Sequence, residues 1–460
     1  MSPAPALQPR PGVTPLASWR FPVPRHDRLD NGVTVLTHHM PGQHVATVIC
    51  HLGIPVTAEP DDCDGITAVM AACLGSGAHG ITAREFEQRA AAAGITWTAS
   101  PGWTGPAITL ELPARQLPAA LDLLYWAVAE PAFDPAEVAG QVQLAAAALA
   151  GAAAAPGTRV LQELPAAVYD EGSRAARPAE GILPTVAQLT PAMIARYYDQ
   201  QVRPAATTIV IVGDLTGLNT ARLVEEAFGI WRDSRPAGGG GGLLRDPVPL
   251  PRRQPSAVLV DQPGAAQTQL LLAVPVPGRG HPGWNALQVA ARILGAPLTG
   301  RLDTQVRERS GDSYTVQAGL TELIPGTGLL LVTGAVDGPA TPGTLAVIKD
   351  ILAAPLRDGF TPAEHSAAAG AIAGTLPLAY ETPAALGAVT ADLAACGLAP
   401  DYLDVLLDDI AGLSAEVVNG AYKSHLGPDR LTLIAVGDAA VLAGPLRELA
   451  APASLQVISA

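Results

Sequence analysis

Apolar positions along this chain follow two rhythms that alternate from one end to the other. Runs with strand character fall at Val33–Leu36, Val45–Leu52, Ile95–Trp103, Ala107–Leu112 and Thr207–Val212. Between them apolar residues recur at helical spacing over Gly65–Leu74, Thr82–Ala93, Leu117–Ala129, Pro135–Ala155 and Thr190–Tyr198. The punctuation agrees. Asn31-Gly32 is a tight-turn dipeptide between strand-like flanks and predicts a hairpin. Thr82, with Glu85 three residues on, predicts a capping box. Asp61, Asp62 and Asp64 precede the Gly65 helix, where negative charge suits the helix dipole.

The pattern then repeats. Leu189-Thr190-Pro191, Tyr198, Pro204, Thr208 and Val212-Gly213-Asp214 recur as Leu413-Ser414-Ala415, Tyr422, Pro428, Thr432 and Val436-Gly437-Asp438, every pair 224 residues apart. Phe133-Asp134-Pro135-Ala136-Glu137 is echoed by Phe360-Thr361-Pro362-Ala363-Glu364. A domain-sized period means duplication rather than a solenoid. The expectation is an α+β chain of two homologous domains, each a mainly antiparallel sheet with helices packed on one face. The boundaries are an N-terminal arm at 1–24, a first domain at 25–232, a Gly/Pro-rich linker at 233–253 and a second domain at 254–460. Five glycines, Gly238 to Gly242, mark the linker as a tether. A phosphate-cradling loop would need a helix after it, and Pro-rich sequence follows instead.

Composition narrows the function classes. Apolar residues make up 48% of 460, enough for sizeable cores, and the net charge is −14 with a pI near 5.0. That balance argues against nucleic acid or an anionic membrane surface as the main partner. Cys50, Cys63, Cys73 and Cys396 show no CxxC spacing, which fits a reduced interior. Residues 1–24 carry no apolar core of a signal peptide, and Leu144–Ala155 is too short to span a bilayer. A cytoplasmic protein is expected.

The densest candidate chemistry lies in Gly300 to Val316. Arg307 closes a polar run, Gly311 supplies a turn, and Tyr314 opens a strand after the Trp284–Leu294 helix pattern. A guanidinium fork and a phenol at one helix-to-strand corner can grip a peptide backbone or a carboxylate, although Arg and Tyr are also ordinary surface residues there. The set Gly300-Arg301-Leu302, Arg307-Glu308, Gly311 and Tyr314 resembles the second-domain signature of the insulinase/pitrilysin-type zinc peptidases, the inverted-zinc-motif family. The resemblance runs from about Asn31 to about Leu449 and implies two related α+β domains, with Arg307 and Tyr314 binding substrate.

In the first domain the resemblance places the family's His-x-x-Glu-His on Ala68, Ala71 and Ala72. The distal Glu ligand falls on Ala148 and a supporting Glu on Gln141. A methyl group has no lone pair for a metal and takes no proton. No other His forms a zinc pair with a nearby carboxylate: Glu364-His365 is half a motif, and His38, His39 and His44 read as a surface loop around Pro41-Gly42. No catalytic or metal residue is therefore assigned, and no cofactor is expected in this chain. The resemblance implies a non-catalytic subunit whose partner is a homologous, zinc-bearing peptidase chain, the two together enclosing a peptide substrate. The alternative is a scaffold member with no part in proteolysis; a self-sufficient hydrolase is disfavoured by the alanines.

Overall fold

The structure, a computed structural model, describes residues 19–78, 80–233, 251–252, 254–310, 313–427, 430–450 and 454–459. Most of the expected arm and linker, with Gly311 and Pro428, lies outside the described residues.

Two six-stranded sheets organise the chain. The first contains β1 (Arg25–Arg28), β2 (Thr34–His39), β3 (Val45–Leu52), β4 (Thr96–Ser100), β5 (Ala107–Pro113) and β6 (Thr207–Gly213), in the order β1-β2-β6-β3-β5-β4. The second contains β7 (Ala257–Asp261), β8 (Gln267–Pro277), β9 (Ser313–Ile324), β10 (Thr327–Asp337), β11 (Thr432–Gly437) and β12 (Leu455–Ser459), in the order β12-β7-β11-β8-β10-β9. The expected α+β architecture of two related sheets is present. Five strands correspond position by position. The sixth differs: β1 pairs antiparallel with β2, whereas β12 pairs parallel with β7. Most pairs are antiparallel; β2 with β6 and β7 with β11 are parallel.

Local rules explain most elements. The Asn31-Gly32 turn closes the β1–β2 hairpin, with Gly32 at φ +93° and its N–H bonded to the Leu29 carbonyl at 2.9 Å. Helix Ala83–Ala92 starts in the expected capping box: Thr82 Oγ1 accepts from the Glu85 N–H, and Glu85 Oε2 accepts from the Thr82 N–H at 3.0 Å. On the first sheet, Val33, Val35, Val48, Cys50, Ile209 and Ile211 turn to one face. There they meet helices Ile66–Cys73, Leu117–Ala129 and Pro191–Gln201 in one core. In the second sheet Leu259, Leu272, Leu433 and Val332 meet helix Trp284–Gly295 in the same way.

The other face of each sheet is covered by helices from the opposite half. Helix Pro383–Ala395 lies on the first sheet: Leu386 and Ala391 join Leu36, Ile49, Val210 and Val212 in one cluster. A Cβ on Gly387 would stand 3.2 Å from Ile49, so the helix rides close to the strands. Reciprocally, helices Pro156–Gln162 and Leu164–Val168 place Val160, Leu164 and Val168 against Val258, Val260, Leu271 and Ile434. Ser256 Oγ donates to the Ala167 carbonyl at 2.8 Å. Pro156 and Pro383 are 227 residues apart, the offset that also relates Phe133 to Phe360. The duplication therefore includes an exchange of covering helices, each buried side chain contributing roughly 1.5–3 kcal/mol.

This exchange corrects one reading. His38 is not in a surface loop. It is the penultimate residue of β2, 3% exposed, with Nε2 2.9 Å from Thr390 Oγ1 on the covering helix. Among the described residues no single helix is long and apolar enough to cross a membrane; the most apolar pair, Pro135–Ala154 with Pro156–Val168, is bent by 107°.

Candidate functional site

Helix Ile66–Cys73 is fixed at its start by a buried polar knot. Glu59 accepts from the N–H groups of Gly65 and Thr67, both at 3.0 Å, which occupies the free donors at a helix N-terminus. It also accepts from Arg174 Nε at 2.7 Å, and Asp64 pairs with Arg174 and Arg177 at 3.1 and 2.5 Å. Glu59, rather than the aspartates singled out from sequence, thus satisfies the helix start. Gly65 adopts φ +94° beside the Glu180 carbonyl, which would lie 2.5 Å from an added Cβ. Held so, the helix turns Ile66, Val69, Met70, Ala71 and Cys73 into the core and leaves Ala68 and Ala72 half-buried on the opposite side.

Helix Pro135–Ala154 packs against it. Asp134 caps this second helix through the N–H of Ala136 at 2.9 Å, and Gln141 Nε2 donates to Ser76 Oγ at 3.3 Å. Ala68, Ala72 and Ala148 come together on one cavity of about 830 Å³. Trp103, Leu161 and Leu164 line it as well, and Thr321, Leu323 and Leu331 of the second sheet close it. Ala71, the position expected to carry the base, is 1% exposed and is not among the lining residues. The cavity spans the two halves because helices 156–168 carry its wall onto the second sheet. Sequence reasoning missed Trp103, Leu161, Leu164 and the three second-sheet residues; no local signal marks them.

The donor chemistry does not fit a zinc ion. Zinc needs thiolate, imidazole or carboxylate ligands converging at about 2.0–2.3 Å. The three positions present methyl groups, and Glu180 is the sole carboxylate on the lining among the described residues. Among those residues no group of three or more His, Cys, Asp and Glu is placed to hold a metal.

The second-half signature divides into structural and exposed parts. Leu302 is fully buried. Arg301 grips Glu364 through two bonds, 2.6 and 2.9 Å, and lies 5.0 Å over the Phe360 ring. That guanidinium, with the Thr361 donors, holds the Glu364 carboxyl down at about 2. Arg307 sits in the π-type helical segment Asp303–Ser310 with its side chain 43% exposed, and its Nη1 is 3.4 Å from buried Asp303. Asp303 also accepts from the Leu298 N–H at 2.9 Å. Arg307 does not line the 830 Å³ cavity. Tyr314 lies in β9, and its side chain stands outside what the structure describes.

A family profile described as the peptidase M16 inactive domain matches residues 188–371. An uncharacterised zinc protease of Mycobacterium tuberculosis is 27% identical over 362 residues, 78% of this chain and 80% of that protein. The second part of the chain thus resembles the M16 inactive domain, and the chain as a whole is similar to bacterial zinc proteases. A further relative, an uncharacterised zinc protease of Streptomyces coelicolor, is 25% identical over 260 residues, covering 55% of this chain and 54% of that one. Solved structures share the fold. A peptidase M16 inactive domain from Pseudomonas fluorescens has a TM-score of 0.79 at 21% identity, covering 90% of this chain and 98% of its own. A Helicobacter pylori protease reaches 0.80 at 14%, with 90% and 100% covered. A chain of Complex III2 from Candida albicans reaches 0.74 at 18%, with 92% and 99% covered.

Proposed function

We propose that this chain is the non-catalytic subunit of a two-chain zinc peptidase. A homologous partner brings the metal, and Arg307 with Tyr314 binds the peptide substrate opposite it. The observation that carries the reading is the cavity at which Ala68, Ala72 and Ala148 meet: the scaffold is retained and every donor is gone. Arg307 supports it from the other half. Its side chain is 43% exposed and, among the described residues, is held by one 3.4 Å contact to Asp303, so the fork is available to a substrate carbonyl or carboxylate.

The test is co-expression with an M16 chain that carries intact His-x-x-Glu-His, followed by a peptide-cleavage assay of the complex. Arg307→Ala should lower kcat/KM by roughly 100-fold, the worth of one charge-assisted hydrogen bond of about 2.7 kcal/mol. Unchanged hydrolysis refutes the role of Arg307; a solitary chain that cleaves peptides refutes the non-catalytic assignment.

A second reading, a scaffold with no part in proteolysis, draws support from the fold shared with a chain of Complex III2. It predicts stable association with a partner whose cleavage rate is indifferent to this chain.

A further inference from the structure

The face of the first sheet under helix Pro383–Ala395 holds another cavity, of about 530 Å³, separate from the alanine-lined one. Its floor departs from the pattern of the sheet. One cross-strand row reads Arg28, Thr34, Thr208 and His51, each directly opposite the next through β1, β2, β6 and β3. The neighbouring row, past exposed His26, reads Leu36, Val210 and Ile49, the apolar residues expected beneath a covering helix. All four residues of the polar row line the cavity. His51 is 7% exposed and its Nε2 stands 3.3 Å from Thr104 Oγ1, which lines the same space. The roof is apolar and comes from the other half and the N-terminal segment: Leu393, Ala394, Leu398 and Phe21.

The electrostatics of this cavity oppose those of the chain. The protein carries −14, yet among the described residues no carboxylate lines the cavity, while the Arg28 guanidinium does. Arg28 is exposed at the rim and has no carboxylate within ion-pair distance among the described residues. Asp392 acts on His51 from beyond the lining, but Arg279 Nη1 engages it at 2.5 Å. A concave, mainly apolar space with a few convergent polar groups is the ordinary form of a small-molecule site.

We propose that this cavity binds a small carboxylate carrying a short apolar body. The Arg28 fork matches a single carboxylate in shape and charge, with the Thr34 and Thr208 hydroxyls as further donors. The Leu393–Leu398 roof covers the apolar part. A phosphate dianion fits less well, because among the described residues one guanidinium is the sole fixed cation on the lining. Floor and roof come from different halves, so the ligand would tie the halves together.

Calorimetric titration of the full chain at pH 7 with hexanoate, and separately with inorganic phosphate, tests this. Hexanoate should bind saturably at one site and more tightly than phosphate. Arg28→Gln and Thr208→Val, each checked for native circular dichroism, should weaken hexanoate at least tenfold and about threefold respectively. No saturable hexanoate binding, phosphate binding of equal strength, or full affinity in Arg28→Gln overturns the assignment. None of these outcomes depends on whether the chain takes part in proteolysis.

Discussion

Restoring donors at three positions should restore a metal site. Ala68 and Ala72 are four residues apart on one helix, so their Cβ atoms lie about 6 Å apart on one face, the spacing that lets two imidazoles share a zinc ion. Ala148 approaches from helix Pro135–Ala154 across the same cavity. The triple variant Ala68→His, Ala72→His, Ala148→Glu adds roughly 14 heavy atoms. At the ~30 Å³ that a water molecule occupies in the liquid, these need on the order of 400 Å³. The cavity offers about 830 Å³, so the new side chains enter open space rather than a packed core. Three ligands should bind zinc with an apparent Kd of about 1 µM or tighter. At a hundredfold excess that adds about 2.7 kcal/mol to folding stability, because the metal binds the folded chain alone. Titration calorimetry and zinc-dependent thermal melting measure both quantities. The single variant Ala68→His should bind at least 100-fold more weakly. The base position behaves differently: Ala71 is 1% exposed, so adding Ala71→Glu buries a carboxylate without a partner and should cost several kcal/mol. A triple variant that folds cooperatively but binds no zinc at 100 µM refutes the placement of the three alanines.

Other outcomes follow from the same contacts. Glu59→Ala strands two helix N–H groups and breaks a buried ion pair, so unfolding in urea should show a loss of about 3–5 kcal/mol, with Glu59→Gln losing less; a loss under 1 kcal/mol contradicts the role of Glu59. Burial holds His38 and His51 down at about 4, below the 6.5 of an exposed histidine. The unfolded chain therefore binds protons first, and stability present above pH 6.5 should fall as the pH drops from 6.5 towards 4. The urea midpoint across that window, compared with His38→Gln and His51→Asn, checks the sign; equal midpoints at pH 7 and pH 4.5 contradict it. A protease site engineered between residues 233 and 251 should yield two fragments that still co-elute on gel filtration. Each sheet takes its second cover from the other half, and separation of the fragments would show that exchange to be weak.

The sequence by itself determined the local elements and the duplication. Asn31-Gly32, Thr82 with Glu85, and the 224-residue offset act through turns, caps and periodicities that need only a few neighbouring residues. It also placed alanines at 68, 71, 72 and 148, because a missing donor is visible in one dimension. Only the tertiary structure showed that three of those alanines share a cavity while Ala71 is turned inward. It alone buried His38 beneath Thr390, and it set Arg28, Thr34, Thr208 and His51 in one row. The reason is range. Helix and turn rules reach about four residues, whereas the helices that cover each sheet arrive from the opposite half of the chain. Surface pairing at that distance depends on shape and burial, which no local pattern records.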